Sequence, residues 1–181
     1  MQGRYTTTGA RAAEDGALLF PGVEQDAYKV RPTGLRDLYL KSVRWGDTDV
    51  TDGEFDVTAG VAANLSLTIV LGADAGRIDG SVSDDKSAPV EGARVMLVPQ
   101  RGHRSAPFYK TASTDASGHF TLRGIAPGDY KIFAWDTVNL NAVMYDPDFL
   151  KPYETDGQSV AIAPNDQRNL TLKVIANNTN Q

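Results

Sequence analysis

The chain of 181 residues contains no cysteine and only two histidines, which limits the chemistry open to it. Without cysteine there can be no disulfide, no thiolate nucleophile and no zinc site built on sulfur. We interpret His103 and His119 as structural residues. The common hydrolase, metalloprotease and nucleotide-binding signatures are also missing. We therefore expect a protein that is not an enzyme and that holds no cofactor.

Long apolar runs and concentrated positive charge are missing as well. No stretch approaches the roughly 20 apolar residues that a membrane-spanning helix needs, so we expect no direct membrane insertion. The net charge is −5, with 18 Lys and Arg against 23 Asp and Glu. Nucleic acids attract clustered Lys and Arg, so no nucleic-acid partner is expected. The first residues do not have the pattern of a signal peptide, and we expect any export signal to lie outside this sequence.

The sequence is rich in short alternating segments bounded by Gly, Pro, Asn or Asp. In residues 93–98, 129–135 and 170–174 apolar side chains recur at every second position. This period is typical of half-buried antiparallel strands. The only helix that we predict is a short one, which begins at Asp146 and ends before Pro152. The predicted fold class is all-β, with antiparallel, Greek-key β-sandwiches.

An internal repeat suggests that one structural unit is used twice. Residues 16–30 align with residues 118–132, and Asn64–Val70 aligns with Asn169–Ile175. The matched pairs include Gly22 with Gly124 and Tyr28 with Tyr130. Glycine permits a sharp reversal with positive φ, and a buried tyrosine needs a partner for its hydroxyl, such as a backbone group at a sandwich corner. We predict that the two tyrosines occupy equivalent buried corners.

The repeat predicts two sandwich modules in tandem, with a boundary near Gly72–Gly76. The N-terminal module spans residues 1–73 and the complete module spans residues 76–176.

The first module has no counterpart of the two strands that residues 76–102 supply to the second. We therefore expect exposed strand edges and exposed apolar surface near Leu18, Phe20 and Val30. Three explanations stay open. The chain is a fragment of a longer array, the first module is a reduced sandwich closed by residues 1–12, or a neighbouring subunit donates the missing strand.

The second unit carries a family resemblance. It contains GSV at residues 80–82, PVEGARV at 89–95, TDASGHF at 114–120 and IAPGDY at 125–130. These motifs resemble the bacterial carboxypeptidase regulatory-like domain, a seven-stranded sandwich of the prealbumin-like or CnaB-like kind. The likeness of the first unit is weaker, because Gln25 and Asp26 stand where the second unit has Pro127 and Gly128.

The resemblance implies a non-catalytic role, because such modules usually serve as folding partners, spacers or adhesive parts of surface proteins. We predict a structural or assembly module of a secreted, periplasmic or cell-surface bacterial protein. Its expected partners are other domains or subunits of the same surface protein. Two alternatives stay open. One is a carbohydrate-binding module with a starch-binding-like fold and a glycan as its partner, and the other is a subunit of a surface filament assembled by strand donation.

Aromatic residues of the second unit are the candidates for ligand stacking. They are Trp135, Phe133, Tyr109 and Tyr145. Exposed rings of this kind would stack on a sugar. We favour the alternative that residues 149–150 cover Phe133 and Trp135 as a lid.

An acidic segment of the first unit is a weak calcium candidate, formed by Asp47, Asp49 and Asp52. Its acids fall at positions 1, 3 and 6, whereas an EF-hand loop needs acids at 1, 3 and 5 with glycine at 6. The pair of Asp52 and Gly53 is also a strong hairpin turn. We interpret the segment as a turn and expect no metal site.

Overall fold

In the computed structural model, β-strands dominate two compact units. The structure describes residues 9–12, 17–57, 66–100, 106–146 and 148–176. As far as they are described, Met1–Val30 and Val43–Thr68 form the smaller unit, and Arg31–Ser42 and Ile69–Gln181 form the larger unit. The all-β fold class is confirmed. Residues 31–42 belong to the larger unit, although they precede the predicted boundary, and the tandem of modules 1–73 and 76–176 stays a prediction.

Fourteen strands and one α-helix lie within the described residues. The strands are β1 (Arg11–Ala12), β2 (Leu18–Leu19), β3 (Ala27–Tyr28), β4 (Tyr39–Trp45), β5 (Thr48–Asp49), β6 (Phe55–Asp56), β7 (Leu67–Gly72), β8 (Gly76–Ser83), β9 (Arg94–Pro99), β10 (Lys110–Ser113), β11 (His119–Ile125), β12 (Gly128–Trp135), β13 (Gln158–Ile162) and β14 (Gln167–Lys173). The helix α1 spans Leu140–Tyr145, and short 3-10 turns lie at Ala106–Phe108 and Lys151–Tyr153.

Seven strands of the larger unit form a sandwich of two sheets. One sheet has the order β10-β9-β12-β13 and the other has the order β11-β8-β14. Neighbouring strands are antiparallel, except that β14 runs parallel to β8. The predicted antiparallel sandwich thus contains one parallel pair, which the sequence did not indicate. A parallel pair needs a long connection, and the five strands between β8 and β14 provide it.

The core of the sandwich consists of alternating side chains from the two sheets. Its buried members are Ile78, Val82, Ala93, Val95, Leu97, Phe120, Leu122, Ile125, Tyr130, Ile132, Ala134, Val160, Ile162 and Leu172. The strands predicted at residues 93–98, 129–135 and 170–174 correspond to β9, β12 and β14. Those strand predictions are confirmed.

The four-stranded sheet is buried on its outer face too. There Met96 and Val98 of β9 and Phe133 and Trp135 of β12 form a second core with Val143 of α1. Partly buried residues complete it, namely Tyr109, Val138, Leu140, Met144, Phe149, Leu150, Tyr153 and Ile175. Strands β9 and β12 are thus not half-buried as predicted, because the segment between β12 and β13 folds back over them.

The helix begins before the position predicted from the sequence. The side chain of Asn139 is its N-cap and accepts hydrogen bonds from the amides of Asn141 and Ala142 at 3.1 and 3.4 Å. Asp146 lies at the C-cap, and its amide donates to the carbonyl of Ala142 at 2.8 Å. The predicted helix at Asp146 is wrong because Asn139 is an equally good N-cap and precedes residues with an apolar face. Pro147 lies outside the described residues.

No helix in the described part of the chain is long and apolar enough to cross a membrane.

Short strand pairs make up the smaller unit. Strand β1 pairs with β2, β3 pairs with β6, and β5 pairs with the end of β4. The ring of Phe55 lies 6.1 Å from that of Tyr28 and 5.1 Å from that of Trp45. Leu18 and Leu19 are exposed. Strand β1 contains only residues 11–12, and residues 1–8 lie outside the described part, so closure by residues 1–12 stays a prediction.

Replacing Trp135 by alanine should destabilise the larger unit by about 3–5 kcal/mol, because a large buried ring is lost and a cavity remains. Tyr145→Ala is the control, because Tyr145 is 62% exposed and should cost less than about 1 kcal/mol. Urea denaturation followed by circular dichroism measures both changes. Similar stabilities for the two variants would contradict the burial of Trp135.

Candidate functional site

The repeated glycine and tyrosine form two corners with the same hydrogen-bond pattern. Gly22 and Gly124 have φ angles of 69° and 63°. The hydroxyl of Tyr28 donates to the carbonyl of Glu24 at 3.1 Å, and the hydroxyl of Tyr130 donates to the carbonyl of Ala126 at 2.7 Å. In both corners the acceptor lies four residues before the tyrosine. Gly16 and residues 64–65, which also belong to the repeat, lie outside the described residues.

The two corners differ in burial. Tyr130 is 4% exposed, and burial raises the pKa of its hydroxyl to about 12. Tyr28 is only half-buried, because β3 pairs with the two-residue strand β6 at this point. The buried position predicted for both tyrosines is reached by Tyr130 and not by Tyr28.

Residues 31–42, here called the connecting segment, lie against the corner at Gly124. A Cβ atom at Gly124 would lie 2.7 Å from the carbonyl oxygen of Leu38 and 3.1 Å from that of Arg36. Only glycine allows two backbones to approach this closely. At Gly22, a Cβ atom would meet nothing within 4 Å. The same turn therefore holds a segment of chain in one copy and is open in the other.

Tyr39 anchors the connecting segment to the linker before β8. Its hydroxyl donates to Oδ1 of Asp74 at 2.9 Å, and its ring packs against Phe108. The ring also lies so close to Gly72 that no side chain would fit there. The carbonyl of Asp74 in turn accepts from the amide of Asn165 at 2.9 Å. Burial and the hydrogen bond to Asp74 raise the pKa of Tyr39. The linker is thus fixed to the sandwich at several points.

The outer face of the three-stranded sheet is polar and carries a shallow groove. The polar residues that line the groove are Asp79, Ser81, His119, Thr121, Asn169 and Thr171. They come from alternate positions of β8, β11 and β14, whose intervening side chains point into the core. We call these six residues the polar face.

Asp79 is the electrostatic centre of the polar face. Its carboxylate accepts a hydrogen bond from Arg77 Nη2 at 2.7 Å and another from the Thr121 hydroxyl at 2.6 Å. Arg77 Nε lies 2.6 Å from the second carboxylate oxygen. The hydrogen bond from Arg77, followed by that from Thr121, lowers the pKa of Asp79. A carboxylate held in its charged form by fixed donors suits a polar surface and is a poor general acid.

The predicted aromatic stacking surface does not face solvent. Trp135 is fully buried and Phe133 is 2% exposed, with their rings stacked 5.1 Å apart. Tyr109 is partly buried in the same cluster, over which residues 149–150 also pack. Tyr145 is largely exposed, and its hydroxyl accepts a hydrogen bond from Arg31 Nη2 at 2.9 Å. The segment between β12 and β13 covers Trp135 and Phe133, so these two rings cannot stack on a ligand, and the favoured interpretation of residues 149–150 as a lid agrees with the structure.

The acidic segment does not form a cation site. In the described ranges, no three His, Asp or Glu side chains come together in a way that could hold a metal ion. Oδ1 of Asp49 accepts hydrogen bonds from the amide and the hydroxyl of Thr51 at 2.9 and 2.7 Å. The carboxylate of Asp49 thus stabilises a turn, which is the favoured interpretation of Asp47, Asp49 and Asp52, and the weak calcium alternative has no support here.

Of the two histidines, only His119 lies within the described residues. His119 begins β11, and its amide donates to Asp115 Oδ1 at 2.9 Å in a tight turn. His103 lies outside the described residues.

Sequence reasoning missed the connecting segment and the polar face. The alternation of Arg77, Asp79 and Ser81 with apolar residues was a signal for one polar sheet face. The docking of residues 31–42 had a weaker signal in the adjacent apolar residues Tyr39 and Leu40, which follow a Pro- and Gly-containing turn.

Seven strands in two packed sheets, with a tyrosine corner, define the larger unit as a β-sandwich module. A family model for the carboxypeptidase regulatory-like domain matches residues 77–174. This match covers more than half of the chain and runs from the start of β8 to just past β14. The chain therefore belongs to the carboxypeptidase regulatory-like domain family, and the predicted resemblance is confirmed. No curated protein sequence matches the chain.

Solved structures similar to the chain have low sequence identity. The major pilin subunit BcpA of Bacillus cereus is 15% identical, with 93% of this chain and 77% of that chain covered and a TM-score of 0.40. The group B streptococcus pilus 2b backbone protein is 18% identical, with coverage of 63% and 45% and a TM-score of 0.36. A putative carbohydrate binding protein from Pseudomonas aeruginosa is 15% identical, with coverage of 54% and 87% and a TM-score of 0.32. These TM-scores are too low to support an argument about function.

Gly124→Ala should destabilise the larger unit more than Gly92→Ala does. Gly92 has a φ of 73°, and a Cβ atom there would meet nothing within 4 Å, so it is a matched control. The positive φ costs each variant about 1–2 kcal/mol. At Gly124 the overlap with the connecting segment should add about 1–3 kcal/mol. Urea unfolding followed by Trp135 fluorescence in a Trp45→Phe background measures both, and equal losses would mean that the segment does not lie against Gly124.

The larger unit should lose stability in alkali as Tyr130 ionises. Its pKa is raised from 10.0 to about 12, so the fold favours the neutral hydroxyl. The resulting stabilisation is complete below the unfolded pKa and is lost as the pH rises from there to the folded pKa. At neutral pH the free energy of unfolding of Tyr130→Phe should be about 1 kcal/mol lower than that of the parent, because one hydrogen bond is lost. Between the unfolded and the folded pKa, however, it should fall less with rising pH. An equally steep fall in urea titrations of both proteins would contradict this assignment. Part of the fall in stability with pH should persist in Tyr130→Phe, because the pKa of Tyr39 is also raised.

Proposed function

We propose that the protein is a non-catalytic structural module of a larger secreted or cell-surface bacterial protein. The observation that supports this proposal best is the docking of the connecting segment on the family sandwich. A flexible tether would leave such a segment solvated, whereas here Gly124 and Tyr39 hold it in place. A spacer needs this property, because the chain that enters it must not move freely.

The polar residues of the larger unit support the same role. Arg77 and Thr121 both donate hydrogen bonds to the carboxylate of Asp79, so the central acid of the polar face is partnered within the sandwich. An exposed ion pair at 3.5 Å joins Asp37 of the connecting segment to Arg123 of β11. Such pairs contribute little to stability, but they match the segment to its docking surface. The partners that we propose are other domains or subunits of the same surface protein.

Mild protease treatment of intact cells of the source bacterium tests the location. Peptides from this chain should be released before those of an abundant cytosolic protein, because a surface module is accessible while the membrane is intact. Mass spectrometry of the supernatant identifies the peptides. Release by osmotic shock alone would indicate the periplasm. Recovery only from lysed cells would contradict the proposal.

A further inference from the structure

The first and last strands of the family domain lie side by side in the same direction. Strand β8 opens the part of the chain that matches the family, and β14 closes it. Arg77–Ser83 lies opposite Gln167–Lys173 in an unbroken parallel register. Because the strands are parallel, the chain enters β8 at one end of this ladder and leaves β14 at the other end.

We propose that the β8–β14 ladder is a mechanical clamp that lets the domain carry tension along the chain. Tension applied at the entry to β8 and at the exit from β14 pulls the two strands past each other along their length. The hydrogen bonds of a parallel ladder are evenly spaced, so this shear loads them together. Rupture then requires several bonds to break at once. Tension applied to both strands at the same end would instead break the bonds one after another.

Additional hydrogen bonds secure both ends of the ladder. At the entry end, the amide of Arg77 donates to the carbonyl of Asp166 at 2.9 Å. At the exit end, the amide of Val174 donates to the carbonyl of Ser83 at 3.0 Å. The next amide, that of Ile175, donates to Ala134 in the other sheet at 2.7 Å. The exit end is therefore tied to both layers of the sandwich.

The inner side of the ladder is buried in the core of the sandwich. The inward side chains Ile78 and Val82 of β8 are 0% and 1% exposed. Between them Gly80 lets β14 approach closely, since a Cβ atom there would lie 2.5 Å from the carbonyl oxygen of Leu170. Strand β8 is also the central strand of its sheet, with β11 on its other side. The core side of the ladder is therefore closed to water, although the polar face on the other side is open, and the packing on the core side should hold the two strands together until they slide.

Single-molecule force spectroscopy on the full chain tests the clamp by changing only the direction of pulling. The chain has no cysteine, so paired substitutions give unique attachment points. Ala73→Cys with Ala176→Cys pulls across the two ends of the ladder. Lys86→Cys with Ala176→Cys pulls from one end, and all three positions are exposed. The rupture force of the larger unit should be at least about twofold higher in the first geometry at the same loading rate, because forced unfolding follows the barrier along the pulling direction.

The two double variants should have the same melting temperature, which shows that the force difference comes from geometry and not from stability. Equal rupture forces, or a lower force across the two ends, would overturn the clamp. The proposal rests on strand geometry and goes beyond the proposed location, which the protease experiment tests separately. A weak ladder on a confirmed surface protein would therefore count against the clamp alone.

Discussion

The larger unit depends on a strand that is apolar on both faces. Strand β12 places Tyr130 and Ile132 between the sheets and Phe133 and Trp135 on the opposite side. Two sheets alone would cover only the first pair. Burying one large apolar side chain contributes about 1.5–3 kcal/mol, so the outer pair needs a third layer. The helix α1 and the turns after it supply that layer and are part of the core. The Nε1 atom of Trp135, which has no hydrogen-bond partner within the described residues, costs about 1–3 kcal/mol against this gain.

Most strands of the larger unit could be predicted because their signals are local. Alternating apolar residues and bounding turns are visible in a few residues, as in β9 and β12. The sequence of β12 also carries a second signal. Phe133 and Trp135 make its other face apolar too, which is typical of a strand covered on both faces and supports the interpretation of residues 149–150 as a lid. The parallel pairing of β14 with β8 joins residues far apart in the chain and has no local signal. The start of α1 was misplaced because two good N-caps, Asn139 and Asp146, compete in one stretch.

The candidate site was less predictable than the fold, because it depends on register and contact. The hydrogen bond between Thr121 and Asp79 exists because β11 places these residues opposite each other, and one sequence does not specify that register. Likewise, the aromatic side chains near Trp135 have a composition that suits either a sugar-binding surface or a core. Their burial is decided by the covering segment, whose path the sequence does not show. The sequence therefore shows which polar and aromatic side chains could act in a site, but it does not show which residues lie next to them or whether they are buried.

The two tyrosine corners separate what local sequence determines from what context adds. Gly22 and Gly124 share a positive φ, and both tyrosines bond to the carbonyl four residues before them. This conformation must therefore arise from the repeated residues themselves, because the surroundings of the two corners differ. At Gly124 the connecting segment also packs against the turn. This contact requires a residue without a side chain, in addition to the positive φ angle. An asparagine could adopt the φ of either corner, but only at Gly22 would its Cβ find space. Gly22 thus permits only a turn, whereas Gly124 permits both a turn and the close packing of the connecting segment.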